Sequence, residues 1–356
     1  MKWIWKAALV LVFTLTGCAG LPQPREMGDV ALLRTMGVDR IGDRLEVTVA
    51  TGPRAKGVQA EGQEALILSA QDSTLSSAAL TLRTQSDSSV SFGHVDQLLL
   101  GEDLSYYDIK EVLDYFARDR ELGLGAQLWA IQGEAAKAAV ESGGSQGIEG
   151  GLSTLRTNGK LGIGTISRTI GEVYADILEL GCSYVPALSL TEEEDPQLEE
   201  RGYAIFKDGS LAGYLEGSSA RGLELLASRA AADVLEVQLA DQGVTAQITR
   251  AATVCRFIPG QENLTISCRV WAQLVEYQRL PGEEEREHIQ QEITHQEEEN
   301  VRLALSQLAD WGADCLGLGQ KAGILSPGRW NALSENWPYH FGKQIPEVNL
   351  KVELTR

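Results

Sequence analysis

A chain of 356 residues is too long for one small core, so two or three domains are expected. Its 43% hydrophobic and 23% charged content is that of a globular protein and excludes a disordered one. The formal net charge of −19 argues against a nucleic-acid partner, because phosphate repulsion would dominate.

The chain opens Met1-Lys2-Trp3-Ile4-Trp5-Lys6, a short positive region, and continues with an apolar run from Ala7 to Leu15. This is the layout of a secretory signal peptide. The run is too short for a spanning helix, which needs about 20 apolar residues. It ends Leu15-Thr16-Gly17-Cys18, the pattern of a bacterial lipobox. Small residues admit a peptidase, and the Cys18 thiol can carry a thioether-linked diacylglycerol. Residues 1–17 are therefore read as the signal, Cys18 as the lipid attachment site, and 18–29 as a tether. Losing Lys2 and Lys6 with the signal takes the net charge from −19 to −21. So acidic a body has no polybasic grip on anionic lipid, and the anchor must hold without that help.

Four cysteines remain: Cys182, Cys255, Cys268 and Cys315. None is spaced as CxxC, which argues against zinc and redox motifs. Cys255 and Cys268 fall on two neighbouring predicted strands, where either a disulfide or two buried thiols would fit.

Two strands are predicted at 31–39 and 44–51, turned at Gly42-Asp43, followed by a short helix at 74–83. His94–Leu100 reads as an apolar strand. Ile109, Val112, Leu113 and Phe116 predict a helix over 108–118. A strand at 127–131, a helix at 134–141, a glycine-rich loop at 143–151 and a helix through Ile166–Ile177 follow. The acidic, proline-containing stretch 191–200 reads as a domain boundary, with an exposed loop inside one domain as the alternative. Beyond it, Gly202–Leu215 predicts a hairpin turned at Asp208-Gly209, since a type I′ turn needs positive φ at both central residues. A helix is expected at 222–240, then long strands at 244–258 and 264–277 turned at Pro259-Gly260. The helix predicted at 283–311 is expected to project its charged start into solvent and bury its end. A strand at 345–354 could join the sheet of the second half.

This alternation predicts a mixed α/β (α+β) protein of several domains, with mixed sheets packed against helices. The expected division is an N-terminal domain at 30–195 and a C-terminal region at 200–356, with subdomains near 200–243 and 244–356.

Few residues invite catalysis. His288, Glu292 and His295 share a helix face but lie in a polar stretch without HExxH spacing, so a solvated face is the expected reading. Gly162-Ile163-Gly164 lacks the third glycine of a dinucleotide loop. None of the four histidines stands beside a nucleophile elbow. No catalytic residue, metal site or cofactor is expected. His94 and Asp96 alternate along the predicted strand, and Asp119-Arg120-Glu121 lies at a helix end. A buried ion-pair network joining them is the plain reading, and a ligand site is the alternative.

Several segments together resemble the Ger(x)C lipoproteins, the C subunits of nutrient germinant receptors of endospore-forming bacteria. They are Arg25-Glu26 with Asp29 and Ala31, Gly37-Val38-Asp39, Phe92–Glu102, Asp119–Leu122, Ala126–Trp129, and the Gly202–Leu215 hairpin. Trp311–Asp314, Gly317-Leu318-Gly319, Trp330 and Trp337 complete the set. Where the family often has Trp-Asp after the lipid-bearing cysteine, this chain has Gly20–Pro24, a departure in the tether. The resemblance implies three mixed α/β domains on the outer face of the spore inner membrane and two integral membrane partners, the A-type and B-type receptor subunits. It also implies a non-enzymatic role in assembly and germination signalling. A substrate-binding lipoprotein of a transporter would need two similar α/β lobes, and no duplication is visible. A cell-envelope hydrolase would need a nucleophile and base in one cleft.

Overall fold

The computed structural model describes residues 30–52, 64–86, 89–229, 234–258 and 264–355. The signal segment, Cys18, the tether and the Pro259-Gly260 turn lie outside these.

The first half is built on a mixed sheet. Its strands are β1 (Val30–Ile41), β2 (Arg44–Thr51), β3 (Ile67–Asp72), β4 (Ser89–Ser91), β5 (Gln97–Leu100), β6 (Gln127–Ile131), β7 (Cys182–Leu190), β8 (Leu198–Lys207) and β9 (Ser210–Leu215). The order is β3-β2-β1-β5-β6-β7-β8-β9, with β4 beside the start of β1. The central strands β1, β5, β6 and β7 are parallel, and the flanking pairs are antiparallel. Buried on both faces, β5 and β6 show no alternation.

One face is covered by α1 (Leu75–Gln85), α3 (Lys110–Arg118) and α6 (Ile170–Leu180). They pack Leu82, Phe116 and Val173 onto Val38, Leu98 and Leu128. The short α2 (Glu102–Ser105) follows β5 directly. The other face carries α4 (Ala136–Ser142) and α5 (Glu149–Leu161) over Leu99, Trp129 and Ile131. Thr74 caps α1, and Thr169 forms a reciprocal capping box with Glu172 on α6. Asp208 and Gly209 both adopt positive φ, 54° and 94°, as the predicted hairpin turn requires.

The second half is a sheet of order β10-β11-β12-β13, from β10 (Val234–Gln238), β11 (Gly243–Phe257), β12 (Leu264–Glu276) and β13 (Glu347–Thr355). As expected, the last strand joins this sheet, parallel to β12. The helix α7 (Gly217–Leu226) lies between the halves and packs on α8 (Glu283–Trp311). The short helices α9 (Leu318–Leu325), α10 (Pro327–Leu333) and α11 (Trp337–Lys343) close the end.

The structure corrects several expectations. Ser228 at φ 59° ends the helix expected to reach 240, and Val234–Gln238 is strand β10. Leu235 and Val237 face inward and alternate with exposed Val234, Glu236 and Gln238, a period that fits a sheet. His94 is not in a strand: residues 93–94 form a turn, and β5 begins at Gln97. The expected glycine loop at 143–151 already contains the start of α5. Residues 283–288 of α8 are exposed or half-buried, as expected of its charged start, but the buried stripe begins within the polar first half, at Ile289 and Ile293. The acidic stretch 191–200 connects β7 to β8 and includes the start of β8, so the first sheet runs on through it to β9.

Candidate functional site

Several segments that carry the family resemblance converge at two places. The first lies where β1, β5 and β6 end, at the point where strand order reverses around β1. Asp39, at the end of β1, is buried and accepts hydrogen bonds from the backbone N–H groups of Ala136 (2.7 Å) and Lys137 (2.8 Å), which open α4. A carboxylate suits orphan donors at a helix N-terminus. Burial pushes the Asp39 carboxyl above its ordinary value, although the two N–H groups pull it back down. Around it, Lys137 pairs with Glu46 at 3.0 Å, and Glu102 accepts from the Gly133 N–H and from Tyr106 at 3.2 Å. Gly37 lies against Ala136 and Val140, and Gly101 lies against Asp39 itself.

The second place is at the C-terminal helices. Asp314 is buried and accepts from the N–H groups of Leu318 (2.8 Å) and Gly319 (2.9 Å) and from Trp337 Nε1 (2.8 Å). Desolvation raises its carboxyl, and these donors partly offset the rise. Trp337 stands edge-on to Trp330 and to Phe257 of the sheet, and both tryptophans press on glycines of α9, Trp337 on Gly319 and Trp330 on Gly323.

A third polar cluster joins the halves, and the sequence reading missed it. Tyr203 of β8 donates to Glu224 of α7 at 2.8 Å and accepts from the Ile166 N–H at 2.7 Å. Arg221 of α7 reaches Glu297 of α8 at 3.3 Å, and Asn300 donates to the same carboxylate at 3.2 Å. Glu297 is fully buried. A cleft of about 400 Å3, lined by Thr165, Glu200, Glu216, Ala220, Arg221 and Glu224, opens onto this cluster. The only sequence signal was an acid on the apolar stripe of α8, four residues past Ile293 and four before Val301.

The five residues expected to form one buried network do not. Asp96 pairs with Arg34 at 2.7 Å, and Glu121 pairs with Arg83 at 3.0 Å and accepts from the Phe92 N–H. Both pairs are partly exposed. Asp119 accepts from the N–H groups of Glu121 and Leu122 and so shapes its own loop. His94 and Arg120 are exposed. The premise failed because His94 lies in a turn, not on a strand in register with Asp96.

His288, Glu292 and His295 are exposed on α8. Among the described residues, no group of three or more His, Cys, Asp or Glu side chains is placed to hold a metal ion. The four described thiols are free and buried. The register sets Cys255 opposite Ile266 and Cys268 opposite Thr253, so the two thiols are not cross-strand partners. Burial pushes Cys255 up to about 11 and raises Cys182 and Cys315 as well.

Among the described residues, no helix is long and apolar enough to cross a membrane. A family model described as the spore germination protein N-terminal domain matches residues 23–190. A second, described as spore germination B3/GerAC like, C-terminal, matches residues 201–356. Comparison with curated proteins gives no match. The crystal structure of the GerBC protein shares the fold, with a TM-score of 0.60 over 90% of this chain and 97% of that one at 17% identity. Matched over nearly its whole length, the chain belongs to the GerAC-like family of spore germination proteins, a family of germinant-receptor components and not of enzymes.

Proposed function

We propose that this chain is the lipid-anchored C subunit of a nutrient germinant receptor, held through Cys18 on the outer face of the spore inner membrane. There it would join the A-type and B-type integral membrane subunits and contribute to receptor assembly and germination signalling. The carrying observation is that the two family matches together run from residue 23, five residues after the lipobox cysteine, to residue 356. Asp39, Asp314 and Glu297 are each engaged in holding elements of the fold together.

The transporter-lobe reading is disfavoured by the two sheets, which differ in strand order and in size. The test is expression in a sporulating host with labelled palmitate. The native chain is expected to take up label and co-purify with two integral membrane subunits. A Cys18→Ala chain that still takes up label would sink the anchor, and a labelled chain that co-purifies with neither subunit would sink the assembly role.

A further inference from the structure

The two ends of the parallel strands differ in charge. At their C-terminal ends, every connection after β1, β5, β6 and β7 carries exposed acid: Asp43, Asp103, Glu134 and the run Glu192–Asp195. Arg44 and Arg201 are exposed bases beside them. At the N-terminal ends, the loops before β5 and β6 hold His94, Asp119, Arg120 and Glu121, the last paired with Arg83 of α1, together with Gly123, Gly125 and the 40% exposed Leu124, and exposed Glu179 and Asp208 flank the start of β7. This end is less acidic than the other, which alone carries the run Glu192–Asp195. This second end is also where the chain enters β1 at Val30.

Twelve residues lead from Cys18 to Val30. Fully extended, such a segment reaches about 40 Å. The field of an anionic bilayer falls off within a Debye length of about 8 Å. A strand of nine residues, such as β7, is roughly 30 Å long. Only the end resting near the headgroups therefore feels the repulsion, and the acidic end is the one driven away.

We propose that the folded body stands on an anionic bilayer with the N-terminal ends of its parallel strands toward the headgroups. The loops at Gly93-His94 and Gly123–Gly125 face lipid, and the acidic connections point outward. This rests on the lipid reading of Cys18.

The test places a fluorescent amino acid by codon suppression at His94 or at Glu193 in the full chain. The chain is bound to phosphatidylglycerol vesicles that carry nitroxide-labelled headgroups. The probe at 94 is expected to be quenched at least threefold more than the probe at 193, and the preference should shrink on phosphatidylcholine. Equal or reversed quenching overturns the orientation. A preference of undiminished size on phosphatidylcholine overturns its electrostatic basis. Flotation of the natively processed chain reports separately on the anchor. If that fails, unprocessed protein coupled at Cys18 to a maleimide phospholipid still reads the orientation.

Discussion

Gly101 has no room for a side chain, because the carboxylate of Asp39 fills the space a Cβ would take. The two residues lie 62 positions apart at the ends of neighbouring parallel strands. Their closeness lets Asp39 reach the N–H groups of Ala136 and Lys137. Gly101→Ala should push the carboxylate off these donors and cost about 1–3 kcal/mol, as overpacking does. Thermal unfolding checks this, and an unchanged midpoint would show that Asp39 is not held there.

Asp39→Ala should cost about the same through a different loss. Two charge-assisted hydrogen bonds disappear, each about 1.5–3 kcal/mol, offset in part by relief of the buried charge. In a double-mutant cycle with Gly101→Ala the two effects should be strongly non-additive, since both act on one contact. Additive urea midpoints would refute the shared site.

Burial raises the Asp314 carboxyl above its ordinary value of 3.8. The folded protein therefore holds this proton more tightly than the unfolded chain. The stability it contributes is fullest below the ordinary value and is lost as pH rises through the raised folded value. Asp314→Asn should lower stability through weaker capping, yet lose less than the native protein between pH 4 and 7. Urea titration across that range decides the matter, and equal losses in the two proteins would count against it.

Glu297 is fully buried against Arg221. Glu297→Leu keeps the apolar stripe of α8 but leaves the buried Arg221 with Glu224, at 3.6 Å, as an ion-pair partner, and should cost less than the about 3–5 kcal/mol of a wholly unpaired buried charge. Arg221→Met combined with Glu297→Leu should recover most of that loss. Denaturant unfolding of the three variants tests this, and a double variant no better than the single would show that the pairing does not matter.

Cys182, Cys255, Cys268 and Cys315 are buried, and desolvation disfavours their thiolates. At pH 8 the folded Cys18→Ala protein should react with a thiol reagent far more slowly than in denaturant, where all four should titrate. A native mass two hydrogens light would instead reveal a disulfide.

Much of the fold was legible because local chemistry decides it. The Asp208-Gly209 turn and the amphipathic stripe of Val112, Leu113 and Phe116 each act within a few residues. Other elements were not. Cys182–Leu190 is buried along most of its length and contains Pro186, so neither alternation nor composition marks it as a strand. Leu223, Leu226, Val234 and Val237 fit a helix period, and only pairing of 234–238 with β11 makes the second two a strand.

The lipobox pattern at Cys18, the acidic charge, the mixed α/β class and the family follow from residue identity and short-range order. What most of the carboxylates do follows only from long-range packing. Asp39 caps a helix that begins 97 residues on, Asp314 ties the helix next to it to Trp337, Glu297 anchors Arg221 between the halves, and Asp96 and Glu121 serve separate pairs. A carboxylate's role is set by which donors the fold brings within about 3 Å and by how much water it excludes, and residue spacing encodes neither.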